Sequence, residues 1–231
     1  MNGFAATVMV VTGVVVAFVA VVAAARRLRL PAVLSPVLVT ATLIGLWLWL
    51  GGVPVARFET LAAPLRLLLG PAIVALGAGV HRNRAAFAVS ARPLALAVGI
   101  GTTVGVGSAM LFARMLGLGP LLTAATLTRT ITTPFAILVQ TRVGGPVALG
   151  AGIAVGTGVI GAVLLPSVLR WCGVRDSAAT GVAVGVAAHL VGADAIGRHD
   201  PVAAAFAGAG LVGAGILVAL VVPPLWPWLI G

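Results

Sequence analysis

Charged residues are scarce in this sequence: they account for 8% of its 231 residues, against 61% hydrophobic residues. This shortage, with a mean hydropathy of +1.23, excludes a soluble globular protein. Apolar runs of about 20 residues recur along the chain, which predicts a polytopic, all-α membrane protein with about six to eight membrane segments. The runs are continuous rather than alternating, so a membrane β-barrel is excluded.

Lysine is absent, and the formal net charge of +10 comes from 14 arginines set against four acidic residues. Most arginines lie between apolar runs, as in residues 26–29 and 81–84. That distribution is typical of cytoplasmic loops facing anionic lipid, whereas nucleic-acid binding needs basic residues on one solvated face. The expected partner is therefore the lipid bilayer of the cell (cytoplasmic) membrane, and no nucleic acid.

Cysteine occurs once, at Cys172, which excludes an internal disulfide, a multi-cysteine metal site and a redox pair. We expect no cofactor and no metal. An intramembrane hydrolase is also disfavoured, because a nucleophile needs a nearby base and Cys172 lies at a span end, well away from His189. No small-residue cleavage site follows the first apolar run, which predicts a retained anchor.

The first half of the chain contains spans predicted over residues 4–24, 31–50 and 93–113. A further segment over 61–80 is interrupted by Gly70 and Pro71, which predict either a kink or a contribution to substrate binding. No soluble domain fits between these segments. The whole chain, residues 1–231, is therefore predicted to be a single membrane domain.

The second half reads as two repeat units, 120–166 and 177–223, each an interrupted segment followed by a clean span. A shift of 57 residues aligns Thr132 with His189 and Gly158 with Gly215. If the interrupted segments are re-entrant hairpins, the two units are inverted, which is a common transporter arrangement. If both segments cross the membrane fully, the units are parallel.

The two alternatives differ in where they place the connections. With both termini outside, either alternative puts residues 26–29, 82, 84, 92 and 198 in the cytoplasm. The hairpin alternative also puts Arg170, Cys172 and Arg175 there, whereas full crossing puts Arg142 there. The arginine bias therefore favours the hairpins.

Residues 129–134 read Arg-Thr-Ile-Thr-Thr-Pro in the middle of an apolar stretch. Thr132, Thr133 and Pro134 are typical of a helix start, and a helix that starts at membrane depth presents free N–H groups and a positive dipole end. Arg129 adds a full charge and Thr130 a hydroxyl. We predict that these five residues bind a small organic anion, with Arg129 on its carboxylate.

Residues 187–194 read Ala-Ala-His-Leu-Val-Gly-Ala-Asp and form the second interrupted segment. Gly192 predicts the helix break, and Asp194 could cap the half-helix that follows. Both His189 and Asp194 are candidates for proton coupling, because burial favours their neutral forms. The alternatives are structural: a histidine bonded to backbone, a simple cap, and an Arg129 that pairs with Asp194 or with carbonyls.

Together these segments resemble the LrgB family of membrane proteins. The resemblance rests on residues 68–76 (Leu-Leu-Gly-Pro-Ala-Ile-Val-Ala-Leu), 132–136 (Thr-Thr-Pro-Phe-Ala), 158–164, 205–206, and the surroundings of His189 and Gly192. The family has Lys-Ser where this chain has Arg129 and Thr130, a change that retains charge and hydroxyl. It has Ser-His-Gly-Ile-Gly-Thr where residues 188–193 read Ala-His-Leu-Val-Gly-Ala, and threonine in place of Ile73.

The resemblance implies a secondary transporter of small 2-oxo or 2-hydroxy monocarboxylates. Plastid relatives move glycolate and glycerate, and bacterial relatives are implicated in pyruvate transport. It also implies an alternative function, as the non-catalytic partner of a holin-like LrgA protein that modulates membrane permeability and murein hydrolase activity. We further expect a homo-oligomer.

Overall fold

The computed structural model describes residues 3–28, 36–197 and 199–230, which form helices and no strand. The helices are α1 (Gly3–Leu28), α2 (Pro36–Leu50), α3 (Val55–Leu61), α4 (Ala63–Arg66), α5 (Leu69–Arg82), α6 (Arg84–Val89), α7 (Ala91–Met115), α8 (Pro120–Leu127), α9 (Thr133–Val143), α10 (Val147–Trp171), α11 (Ser177–Gly197) and α12 (Pro201–Ile230).

Six stretches within these residues are long and apolar enough to cross a membrane: 3–25, 63–82, 91–115, 147–171, 177–197 and 201–230. Large apolar side chains remain exposed along them, for example Leu111, Ile160 and Leu220. A water-soluble fold would bury such side chains, whereas lipid solvates them. The prediction of an all-α polytopic membrane protein is confirmed.

The chain divides into two compact units, residues 1–72 and 73–231. In the first unit, α1 packs against α2 and α3. The second unit contains α6 to α12 and most of α5, and it holds the main hydrophobic core. The predicted spans 4–24 and 93–113 lie within α1 and α7, and α2 covers 36–50 of the span 31–50. The predicted segment 61–80 covers α4 and most of α5, with its break at residues 67–68 rather than at Gly70 and Pro71. Residues 31–35, Arg29 and Arg198 lie outside the described residues.

The helices α8 and α9 form a hairpin, here called hairpin 1, whose tip is residues 128–132. The Gln140 side chain on α9 reaches back to α8, donating to the Ala124 carbonyl oxygen at 2.6 Å and to Thr128 Oγ1 at 2.9 Å. Gly145, just beyond α9, again lies beside Ala124. The two arms have 8 and 11 residues, about 12 and 16 Å at 1.5 Å per residue, so neither crosses a 30 Å core. Hairpin 1 therefore returns to the end of the second unit where it began.

The long helix α11 is also a hairpin, here called hairpin 2, because its backbone is non-helical at His189, with φ 37° and ψ −133°. Beyond this break Gly192 lies against Ala188 and Val184, so the returning arm packs on the first one. The break is therefore three residues earlier than predicted, and Gly192 is itself helical. Because Gly192 has no side chain, the two arms can pack closely. The chain reverses at His189, whose ring packs against Gly158.

The start of α12 lies beside the start of hairpin 2. Gly181 contacts the Ala203 carbonyl and Gly185 the Ala207 carbonyl. The pKa of Asp200 lies below its ordinary value, first because the Ala203 N–H donates to the carboxylate at 2.9 Å and then because Ser177 also bonds to it. Residues 177–197 therefore enter and leave at one end of the second unit.

Each hairpin packs its tip region against a glycine of a long helix. In hairpin 2, His189 lies against Gly158 of α10; in hairpin 1, Phe135 lies against Gly215 of α12. Gly158 and Gly215 are a pair that the 57-residue shift aligns. The tips thus lie near the middles of the long helices, as in transporters built from broken elements.

Candidate functional site

A cavity of about 800 Å³ lies between α7 and the first arm of hairpin 2. One end is at the N-terminal ends of these two helices, where Ser90, Pro93 and Asp176 line it. The other end lies near the middle of α7, at the tip of hairpin 1. The volume is within the range of small-molecule sites, about 300–1,000 Å³.

Arg129 lines the inner end of this cavity and is partly buried. Its Nη2 donates to Ser108 Oγ at 2.7 Å and to the Gly105 carbonyl oxygen at 3.3 Å. The structure shows no acceptor for its Nε and Nη1 among the described residues, and no ion pair with Asp194. Of the described residues around this cavity, Arg129 is the one cation. Its guanidinium is therefore fixed on one side and has N–H groups left for an anion.

Thr130 lies beside Arg129 in the cavity wall, and its Oγ1 is buried without a hydrogen-bond partner among the described residues. Its methyl group packs on Gly105, where a Cβ would lie 2.9 Å from Thr130 Cγ2. Such an unpartnered hydroxyl costs about 1–3 kcal/mol unless a ligand or water bonds to it. Thr130 is therefore suited to bind an oxygen next to a carboxylate held by Arg129.

Ser108 is a site residue that sequence reasoning missed. Besides accepting from Arg129, its hydroxyl donates to the Gly105 carbonyl oxygen at 3.0 Å. A serine in a span rich in small residues carries no signal of its own. Only the packing of hairpin 1 on α7 brings Ser108 to the arginine.

The predicted helix start at Thr-Thr-Pro is present: α9 begins at Thr133, with Thr132 as its N-cap and Pro134 in the first turn. The Thr132 side chain makes no capping hydrogen bond. The first α9 amide bonded to a carbonyl is that of Ala136, which donates to Thr132 at 3.0 Å. None of the residues 132–134 lines the cavity. Of the five predicted residues of this motif, the structure thus brings Arg129 and Thr130 to the cavity.

His189 and Asp194 do not meet. His189 is buried, and its Nε2 lies 2.8 Å from the Ala154 carbonyl oxygen of α10, to which it donates. Asp194 is exposed on the returning arm of hairpin 2. Neither residue lines the cavity. The backbone-bonded alternative therefore fits the position of His189, and proton coupling by these two residues stays a prediction.

Gly70 and Pro71 lie in the first turn of α5 and are exposed. They belong to the first compact unit, whereas the cavity is formed by residues of the second. Within residues 3–28, 36–197 and 199–230, no three His, Cys, Asp or Glu side chains are grouped as a metal ion would need.

Comparison with known proteins gives one family over most of the chain: the LrgB-like family matches residues 14–228. The chain is 30% identical to the uncharacterized protein YxaC of Bacillus subtilis (strain 168) over 80% of each protein. It is 33% identical to YwbG of the same organism, over 68% of this chain and 70% of the relative. No solved structure matches.

A more distant relative has a described function. The plastidal glycolate/glycerate translocator 1 of Arabidopsis thaliana is 32% identical over 60% of this chain and 27% of its own length. The relatives are thus membrane proteins that are either transporter-like or uncharacterized, which fits a protein that is not an enzyme.

Proposed function

Since the chain belongs to the LrgB-like family and is a multi-pass membrane protein with a transporter-like role, we propose that it is a secondary transporter of small 2-oxo or 2-hydroxy monocarboxylates. In this proposal Arg129 binds the carboxylate and Thr130 the neighbouring oxygen. Ser108 positions the guanidinium.

The observation that carries the proposal is a single cation, with free N–H groups, at the inner end of a cavity with apolar walls. An arginine near the bilayer centre costs about 2.5–3.5 kcal/mol to insert, so its presence calls for a partner or a function. The two oxygen partners of Arg129 are neutral, and Asp176, the carboxylate in the cavity lining, lies at the opposite end, so the charge has no counterion beside it among the described residues. A bound carboxylate supplies that counterion and accepts from the N–H groups that Ser108 and Gly105 leave over.

The hairpins support the same proposal. Two broken elements whose tips lie near the middles of long helices are the arrangement in which transporters hold a substrate between repeats. Under the inverted-repeat interpretation, residues 120–166 and 177–223 would rock against each other around the Arg129 cavity. Proton coupling through His189 and Asp194 would be an additional feature, which this cavity does not require.

The test is uptake by the purified protein in liposomes, with labelled pyruvate, lactate, glycolate and glycerate. We expect Arg129→Ala to weaken binding about 30-fold to several-thousand-fold, because it removes the partner of a desolvated charge worth about 2–5 kcal/mol. Arg129→Lys should recover part of the affinity, because lysine keeps the positive charge but lacks the planar guanidinium group with its several N–H donors.

The matched control is Arg114→Ala. Arg114 is near the end of α7, the helix that carries Ser108; it is exposed and donates to the Leu229 carbonyl oxygen at 3.4 Å, away from the cavity. Its removal should leave binding within about two-fold, since an exposed contact of this kind contributes little. Equal losses in Arg114→Ala and Arg129→Ala would contradict the binding role. No uptake or exchange of any acid by the wild type would favour the alternative function, as a partner of a holin-like LrgA protein.

A further inference from the structure

The cavity is polar at its two ends and apolar between them. Ser108, Arg129 and Thr130 form the polar inner end, and Ser90 and Asp176 lie at the other end, by the helix starts. The remaining lining residues are apolar or glycine. Three of them are buried side chains packed in the protein core, so their character is not a consequence of facing lipid; these are Val182, Val186 and Phe206.

The hydrogen-bonding capacity of the inner end is small. Nε and Nη1 of Arg129 keep N–H groups without an acceptor among the described residues, and a carboxylate oxygen can accept from them beside the full positive charge. The Ser108 hydroxyl donates its proton to Gly105 and accepts from Arg129, so it has no proton left to donate to a substrate oxygen and keeps one acceptor lone pair. Thr130 Oγ1 is the hydroxyl without a partner among the described residues of this end. The inner end therefore gathers its hydrogen-bonding groups around the carboxylate and the oxygen on C2.

Between the two polar ends, the described lining has no side chain that can form a hydrogen bond. In glycerate the C3 hydroxyl would face the apolar wall, and a buried hydroxyl without a hydrogen bond is strongly disfavoured. A methyl or longer alkyl group at the same place would bury its surface instead, with a gain for each methylene. The cavity is also large enough for a tail longer than that of pyruvate.

Building on the proposed function, we propose that this site selects monocarboxylates with one oxygen on C2 and an apolar tail, and discriminates against polyhydroxy acids such as glycerate. The acids that fit are pyruvate, lactate and their longer or branched alkyl homologues. Thr130 and Arg129 bind the polar end, and Val182, Val186 and Phe206 contact the tail.

The test is competition against labelled pyruvate in liposomes with matched pairs of acids. Lactate and glycerate of the same configuration differ only in methyl against hydroxymethyl, and we expect lactate to bind at least about five-fold more tightly. Pyruvate and 2-oxobutyrate differ by one methylene, which should strengthen binding about three- to four-fold. Equal or tighter binding of glycerate would overturn the inference while leaving the carboxylate role of Arg129 intact. Failure of every acid to compete would overturn the proposed function instead.

A variant tests the position of the tail. Val186→Thr keeps the side-chain shape and adds a hydroxyl to the wall, which can bond to the C3 hydroxyl of glycerate. The ratio of lactate affinity to glycerate affinity should therefore fall by at least about three-fold. Val159→Thr is the control, because Val159 is 8% exposed against 7% for Val186 but lies on α10 outside the cavity lining. Each variant is first checked for uptake of pyruvate, which shows that it is folded. An unchanged ratio in Val186→Thr, or the same narrowing in Val159→Thr, would contradict the assigned wall.

Discussion

At the scale of single residues, Gly158 determines how closely hairpin 2 approaches α10. A Cβ on Gly158 would collide with the His189 ring. This ring donates to the Ala154 carbonyl oxygen one turn earlier on α10. His189 also has a positive φ, which costs about 1–3 kcal/mol for a residue with a side chain. The ring's hydrogen bond and its close packing are therefore what hold an otherwise unfavourable backbone.

We expect Gly158→Ala to lower the free energy of unfolding by about 1–3 kcal/mol, as overpacking of a close contact does. Gly156→Ala is the matched control on the same helix, because nothing lies within 4 Å of a Cβ at that position. It should be neutral or stabilising by up to about 1 kcal/mol, through higher helix propensity. Thermal unfolding of the detergent-solubilised variants measures both effects.

The double variant Gly158→Ala with His189→Gly tests the cause. Glycine at 189 removes the colliding ring and accepts the positive φ without strain. The double variant should therefore be less destabilised than the two separate losses added together. Additive losses would show that the Gly158 effect does not act through the His189 ring.

Sequence reasoning reached the charged residue of the site but not its environment. An arginine inside an apolar run can be recognised from the sequence alone, and the cost of inserting its charge into a membrane suggests that it has a function. The role of Ser108 could not be predicted from the sequence, because it depends on the tertiary contact that brings its Oγ within 2.7 Å of Arg129 Nη2. The Thr132 hydroxyl shows the reverse case: its sequence position predicts a cap, and its side chain does not make one.

At the scale of elements, hairpin 1 is held closed by one side chain. Gln140 is fully buried, and its amide group joins the two arms through Ala124 and Thr128. Thr128 in turn donates to the Ala125 carbonyl oxygen at 3.0 Å. This chain of hydrogen bonds lies directly before Arg129, so it fixes where the arginine leaves the hairpin.

Gln140→Leu should lower the free energy of unfolding by about 1–3 kcal/mol, because it leaves the buried Ala124 carbonyl without its side-chain donor. Pyruvate affinity should fall as well, since the tip that carries Arg129 loses its support. Thr141→Val, at the next position, removes an exposed hydroxyl bonded only within its own helix and should change stability by less than about 0.5 kcal/mol. Unchanged stability and affinity in Gln140→Leu would show that backbone packing alone holds the hairpin.

The elements differ in how well sequence predicts them. The start of α9 follows from Thr-Thr-Pro, because threonine and proline act locally on the first turn. The break in α11 could not be located the same way. Glycine permits a chain reversal, which favours Gly192, but the chain reverses at His189. There, contacts of the His189 ring with α10 offset the cost of the backbone conformation, whereas Gly192 allows the two arms to pack closely.

At the scale of the whole second unit, the two hairpins determine which connections share a side. The end that receives hairpin 2 carries Arg170 and Arg175, and the opposite end carries Arg114 and Arg142. The start of α7, with Arg92, joins the first group, because the cavity lining includes both Ser90 and Asp176. From the arginine bias we predict that the end with Arg170 lies in the cytoplasm, with the Ser90 and Asp176 end of the cavity on the same side.

Cys172 gives a direct measurement of this topology, because it is the single cysteine and is exposed beside Arg170. An impermeant maleimide should not label it in intact cells but should label it in broken membranes. Efficient labelling of intact cells would place this end outside and contradict the predicted orientation. Thr141→Cys combined with Cys172→Ser places the single thiol at the opposite end, and it should be labelled in intact cells as well as in broken membranes.

The contact between Phe135 and Gly215 has a consequence for biogenesis. The ribosome completes hairpin 1 before it synthesises α10, hairpin 2 and the half of α12 that contains Gly215. Until then the tip of hairpin 1 lacks the surface on which Phe135 packs, while its unbonded backbone groups cannot remain in lipid. We therefore expect the nascent hairpin to stay at the translocon or the membrane surface and to take its final place when the last span is inserted.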